Sequence, residues 1–154
     1  MLNEQPHQKD LREGRCVETG LYYFITTNTK DREKVFLNQT AAKILLDALK
    51  WLNDHNRIAL VVAVVMPDHL HFVSELKDTS LANVMHSLKS FTANKINKVL
   101  NRNGQLWERQ YYERVIRNEK ALMETVEYCL GNPARKALVE DFRDYPYWYC
   151  VYDV

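Results

Sequence analysis

The chain lacks any apolar run long enough to cross a membrane; its longest, Ile58 to Met66, is about half of the roughly 18 residues a span requires. It also lacks paired cysteines. Cys16, Cys129 and Cys150 are odd in number and form no CxxC, which points to a reduced, intracellular setting rather than a disulfide framework. Residues 1–20 are polar with mixed charge and carry no signal-peptide core, so the expected location is cytoplasmic. No internal repeat or low-complexity tract is present. Net charge is only +1, which by itself argues neither for nor against a nucleic-acid partner. With 154 residues, 46% of them hydrophobic and 27% charged, the chain suits one soluble globular domain with a sizeable core.

What is present begins with Pro67-Asp68-His69-Leu70-His71. The run before it, Ile58 to Met66, is rich in β-branched residues and reads as a strand buried on both faces. His69 to Leu76 continues as a second strand after a tight turn at Pro67-Asp68. Strand side chains alternate, so His69 and His71 share a face, about 6–7 Å apart, and can share a divalent ion. A histidine on a strand is more often a hydrogen-bonded core or surface residue, so the pair needs partners before it counts as a metal site.

The remaining pattern predicts where those partners lie. Leu21 to Thr27 reads as a strand, and Thr40 to Asn53 as a helix capped by Asn38 or Thr40. Leu81 to about Leu100 reads as a second helix capped by Thr79 or Ser80. Leu106 to Arg117 is extended and ends in a strand, Tyr111 to Arg117. A last helix starts near Asn118 and stops around Gly131-Asn132, ahead of Pro133. A short turn or helix over Ala134 to Val139 then leads to an aromatic tail within residues 140–154, and residues 1–19 are expected to be partly flexible. The order β-α-β-β-α-β plus one helix predicts an α+β, ferredoxin-like antiparallel sheet with two helices on one face. The histidine strand then lies mid-sheet, and only the final helix is left to cover its open face.

That helix carries Tyr128 and Asn132 four residues apart, hence on one face. Laid over the histidines, Asn132 can supply a third, oxygen ligand and Tyr128 a phenol beside the metal. Such a donor set suits Mg²⁺ or Mn²⁺, with two imidazoles leaning toward Mn²⁺. A metal beside a tyrosine suits phosphoryl transfer through a phosphotyrosine link. Residues 89–120 hold eight basic residues against three acidic ones, a local net of +5, interleaved with Phe91, Trp107, Tyr111 and Tyr112. A basic stripe with rings suits single-stranded nucleic acid. The same window also suits a solvated helix followed by a strand whose aromatics are core, and composition alone leans that way. The aromatics serve as core or as base-stacking surfaces; the tail packs the sheet or covers the site.

Four segments together resemble one family. Met66 to Phe72 resembles the histidine-hydrophobe-histidine (HUH) motif of the single-tyrosine transposases. Leu106 to Arg117 resembles the W-x-R-x-[FY]-[YD]-x-R-V-I-R stretch of their REP-associated tyrosine transposase branch, within the IS200-like superfamily. Glu127 to Val139 resembles its Y-I-x-x-N-P-x-[RK]-x-G-L-V segment, and Tyr145 to Trp148 its Y-P-W/Y-S end. The resemblance implies an HUH endonuclease fold acting on single-stranded DNA with hairpins, in the nucleoid, as monomer or homodimer. It also implies Tyr128 as nucleophile, His69, His71 and Asn132 as metal ligands, and a 5′-phosphotyrosine with a free 3′-hydroxyl. It turns the basic window toward DNA, with Arg109, Arg114 and Arg117 as the expected contacts and Lys89, Lys95 and Trp107 behind them. Ala137 stands where the pattern usually has glycine. A rival reading is a catalytically idle nucleic-acid-binding module that uses Tyr22 and Phe24 on an exposed sheet.

Overall fold

A computed structural model describes residues 5–6 and 21–154. The expectations of a flexible segment over 1–19 and a reduced Cys16 fall outside these residues, apart from the short strand β1 (Gln5–Pro6). From there the chain runs β2 (Tyr22–Asn28), α1 (Gln39–Asp54), β3 (Ile58–Met66), β4 (His69–Leu76) and α2 (Leu81–Val99). It continues with β5 (Tyr112–Ile116), α3 (Glu119–Leu130), the single-turn α4 (Asn132–Arg135) and β6 (Trp148–Cys150).

Local signals account for the helix starts. Asn38 Oδ1 accepts from Ala41 N at 3.1 Å, Ser80 Oγ from Asn83 N at 3.1 Å, and Asn118 Oδ1 from Ala121 N at 2.8 Å. Each satisfies an amide that the helix itself leaves without a partner. The caps are therefore Asn38 rather than Thr40, and Ser80 rather than Thr79.

The strands form one antiparallel sheet in the order β1-β5-β2-β4-β3-β6. Its inner four, β5-β2-β4-β3, are the ferredoxin-like arrangement expected from the element order, with β2 and β4 as central neighbours. Helices α1 and α2 cover one face, where Leu45, Leu49, Met85 and Leu88 meet Leu70 and Phe72. Helix α3 covers the other, where Val126 and Cys129 meet Phe24, Val62, Val64 and Val73. Strand β3 thus feeds both layers, which is why it reads as an unbroken apolar run. The aromatic tail packs the sheet: β6 pairs with the outer edge of β3, and the buried Tyr145 hydroxyl donates to the Val65 carbonyl. Among the described residues no helix is long and apolar enough to cross a membrane.

Ala137 adopts φ +58°, the left-handed region in which a Cβ is disfavoured. It is exposed, just past α4, and closes the turn with its amide on Ala134 O at 3.0 Å. This explains why glycine suits the position. Ala137→Gly is expected to stabilise the fold by roughly 1 kcal/mol, since strain relief outweighs the added freedom of the unfolded chain. Urea denaturation checks this; an unchanged or lower midpoint would contradict it.

Candidate active site

The site sits where the β3–β4 hairpin turns. His69 pairs with Met66 across that hairpin and with Asn28 on the other side, which puts it at the end of the sheet's central strand. Alternation along β4 sends Leu70 and Phe72 into the α1/α2 layer and His69 and His71 toward α3. The imidazoles stand closer than strand spacing alone suggests, with ring centroids 4.7 Å apart and planes at 76°.

Both rings are anchored through Nδ1. His69 Nδ1 lies 2.7 Å from Asp68 Oδ1, and His71 Nδ1 lies 2.7 Å from Thr26 Oγ1. An ionised carboxylate only accepts, so His69 Nδ1 carries the proton and Nε2 keeps its lone pair. Asp68 is held in turn by Arg32 Nε at 3.1 Å. Burial would raise the Asp68 carboxyl, but the hydrogen bonds from His69 and Arg32 outweigh it and hold it below the usual carboxylate range. Burial also pushes the His69 imidazole down, against the pull of Asp68. His71 is pushed down to about 3, first by burial and then by His69 and Arg135. Both rings are therefore neutral at physiological pH, the protonation state a metal requires.

That shift has a consequence for stability. Unfolded His71 takes up a proton near pH 6.5, whereas the folded ring resists until about 3. Within that window the unfolded state holds more protons, so stability falls as pH falls, by up to about 1.4 kcal/mol per unit from this group. In EDTA, His71→Gln should therefore show a shallower loss between pH 6.5 and 4.5 than the parent protein in urea melts. Parallel losses would refute the burial argument.

Helix α3 and the turn of α4 that follows it bring the remaining expected groups. Asn132 is buried, 4% exposed, and its Nδ2 donates to His69 Nε2 at 3.3 Å. Tyr128 is 43% exposed, and its ring lies 5.9 Å from that of His71 and 6.3 Å from Phe24. Helix α3 stops at Leu130, and Gly131 keeps a right-handed helical conformation before α4, so Asn132 is reached without a break in direction. Among the described residues no three His, Cys, Asp or Glu side chains cluster closely enough to hold an ion. Beside the histidines, the Asn132 amide is the expected third protein donor for an ion. The donor set fits one: two neutral imidazoles and an amide that a half-turn presents through Oδ1.

The expected DNA contacts divide. Arg109 is exposed and lines a cleft of about 490 Å³ with Asn28, Lys30, Glu108 and Tyr112, on the flank of the histidine end. Arg114 faces α3: its guanidinium lies 5.4 Å over Phe24 and donates to Thr125 Oγ1 at 2.9 Å. Arg117 follows the far end of β5, whose Tyr112 end is level with His71 through Thr26, so it stands at a distance from the histidines. Lys89 and Lys95 belong to α2, on the opposite face of the sheet. Lys89 Nζ donates to the Glu108 and Arg109 carbonyls, and burial pushes its ammonium down to about 8, so it braces the Arg109 loop from behind. Trp107 is 4% exposed; its Nε1 donates to Thr92 Oγ1 at 3.0 Å and its ring packs on Phe36. It is a core residue with no face left for a base.

Three residues escaped the sequence reading: Thr26, Asp68 in its role as anchor, and Arg135. Asp68 sits inside the histidine motif, where its sequence signal is that of a turn former. Arg135 sits at the [RK] position of the asparagine motif. Thr26 carries no signal beyond lying on a strand.

The family model described as Transposase IS200 like matches residues 17–129. A Haemophilus influenzae protein assigned as a REP-associated tyrosine transposase is 30% identical, over 83% of this chain and 78% of that one. A solved REP-associated tyrosine transposase bound to a REP hairpin aligns with a TM-score of 0.69 at 21% identity, over 85% of this chain and 77% of the other. A Deinococcus radiodurans protein assigned as a transposase aligns with a TM-score of 0.53 at 23% identity, over 75% of this chain and 92% of the other. The two structures share the fold.

Proposed function

The chain belongs to the IS200-like transposases, in their REP-associated tyrosine branch, and from that premise we propose that it cuts and rejoins single-stranded DNA beside a hairpin. The observation that carries this reading is the convergence of α3 on the histidines. Tyr128 stands 5.9 Å from the His71 ring, and Asn132 is hydrogen-bonded to His69.

In this reading the Tyr128 oxygen attacks the scissile phosphorus and a P–Oη bond forms as the bond to the 3′-oxygen breaks. The phenol proton leaves to solvent, and the departing 3′-oxygen takes one up. The DNA 5′ end stays on Tyr128 as a phosphodiester, so the bond energy is kept. Attack by a 3′-hydroxyl on that link rejoins a strand and restores the phenol. A divalent cation, Mg²⁺ or Mn²⁺, held by His69, His71 and Asn132 would supply positive charge to the phosphate oxygens. Asp68 and Thr26 hold the imidazoles in orientation, and burial keeps them unprotonated. Arg109 and Lys30 line the cleft at the histidine end and would meet the DNA backbone there.

The idle-module reading requires an open sheet face with exposed rings. Helix α3 occupies that face and leaves Phe24 only 1% exposed.

The test is incubation with end-labelled single-stranded DNA carrying a hairpin repeat, with Mn²⁺, with Mg²⁺ or with EDTA, followed by a denaturing gel. The expected result is a protein–DNA adduct that EDTA abolishes. Hairpin binding without adduct under every condition would reject the nuclease.

A further inference from the structure

Gly131 poses a physical question. Glycine inside a run of helix costs about 1 kcal/mol relative to alanine, yet its backbone, φ −74° and ψ −9°, is open to any residue. Conformation does not explain it. Space bears on it: a Cβ built there would lie 2.7 Å from a guanidinium nitrogen of the flexible Arg135 side chain and 3.2 Å from the Glu127 backbone oxygen, so Arg135 would have to leave this pose. The Arg135 side chain folds back across Gly131 toward the N-terminal end, the direction helical side chains favour.

The guanidinium arrives on Tyr128. Its centre lies 4.3 Å from the ring centroid, a cation–π contact. Nη2 donates to the Tyr128 carbonyl oxygen and lies 3.5 Å from Asn132 Oδ1. The phenol ring thereby touches the guanidinium as well as the rings of His71 and Phe24. A ring 43% exposed at the rim of an open site would otherwise sample several rotamers.

Building on the function proposed above, we propose that Arg135 is a positioning residue for Tyr128, and that Gly131 is the gap through which it reaches the ring. It fixes the nucleophile beside the histidine pair before DNA arrives, so the ordering cost is met in folding rather than at each encounter. Its planar, delocalised cation stacks on the ring and donates at its edge in one pose, which a lysine ammonium cannot do.

The experiment measures single-turnover adduct formation at saturating hairpin DNA, and separately the Kd for that DNA in EDTA. Arg135→Ala should slow adduct formation about 30-fold while Kd changes by less than about threefold, the split expected when orientation rather than binding is lost. Gly131→Ala keeps the arginine in the chain but pushes its guanidinium off this pose, and should reproduce part of the loss. Millimolar guanidinium should restore part of the Arg135→Ala rate, and Arg135→Lys should recover little. Rates within threefold of the parent for both Arg135→Ala and Gly131→Ala, or a loss lying wholly in Kd, would overturn the proposal.

A DNA-free arm separates this claim from the nuclease reading. With ¹³C-labelled tyrosine, the Tyr128 ring resonances should shift and broaden in Arg135→Ala. Unmoved resonances defeat the positioning role. A parent protein that forms no adduct defeats the nuclease, while a Tyr128 shift would still uphold the clamp.

Discussion

Tyr128→Phe removes one oxygen and should leave the DNA bound and uncut. The ring keeps its neighbours, since its contacts with His71, Phe24 and Arg135 are made by carbon atoms and by the backbone carbonyl. Stability should change by less than about 1 kcal/mol at so exposed a side chain. Hairpin affinity should likewise stay within a few-fold. Covalent adduct, however, should fall by on the order of 10⁴-fold or more, below detection on a denaturing gel, because no other group takes over a missing nucleophile. Tyr112 is the necessary control. It is 37% exposed, on the same sheet face, and pairs across the strand with Thr26, which itself touches His71. Tyr112→Phe should retain the adduct. If the adduct instead persisted in Tyr128→Phe and vanished in Tyr112→Phe, the nucleophile would be on the strand and the role of α3 would have to be redrawn.

The parts of this site visible in the sequence are those encoded by short-range geometry. Period-two alternation put His69 and His71 on one face, and four-residue spacing put Tyr128 and Asn132 on one side of a helix. Both hold because backbone geometry alone dictates them. Element order then implied that β2 and β4 are central, since a split β-α-β-β-α-β chain has few untangled ways to form a sheet. What stayed hidden depends on how side chains are used after packing. Trp107 and Arg109 stand two residues apart in one motif, yet one fills the core and the other lines an exposed cleft. Lys89 looks from charge alone like a phosphate contact, but its ammonium is taken up by two carbonyls of the Arg109 loop. The tail fits two roles at the level of sequence because edge pairing of β6 with β3 leaves no local pattern in three residues. Arg135 reaches Tyr128 across two helical turns by passing close over Gly131, and spacing rules for neighbours on a helix do not extend that far.

Removing the donors of the histidine pair should separate a metal site from a pair of core histidines, through the order of three effects rather than any single loss. His69→Ala and His71→Ala each delete a proposed ligand, and in both the adduct should vanish at every attainable Mn²⁺ concentration. That outcome alone is ambiguous, because the rings are 7% and 6% exposed and their removal also leaves a cavity. Asp68→Asn resolves it. The carboxylate is bonded to His69 Nδ1 and to Arg32 Nε, so it acts on the pair through His69. An amide oxygen in its place still accepts from Nδ1 but no longer raises the basicity of Nε2, so the Mn²⁺ concentration for half-maximal adduct should rise about 10- to 100-fold. At saturating Mn²⁺ the rate should return to near the parent value. A purely structural pair predicts the opposite pattern, in which Asp68→Asn lowers the melting temperature and the maximal rate while the Mn²⁺ midpoint stays fixed. The midpoint therefore decides, because an anchor that acts through a ligand changes how tightly the ion is held, whereas an anchor that acts through packing changes only how much folded protein there is to hold it.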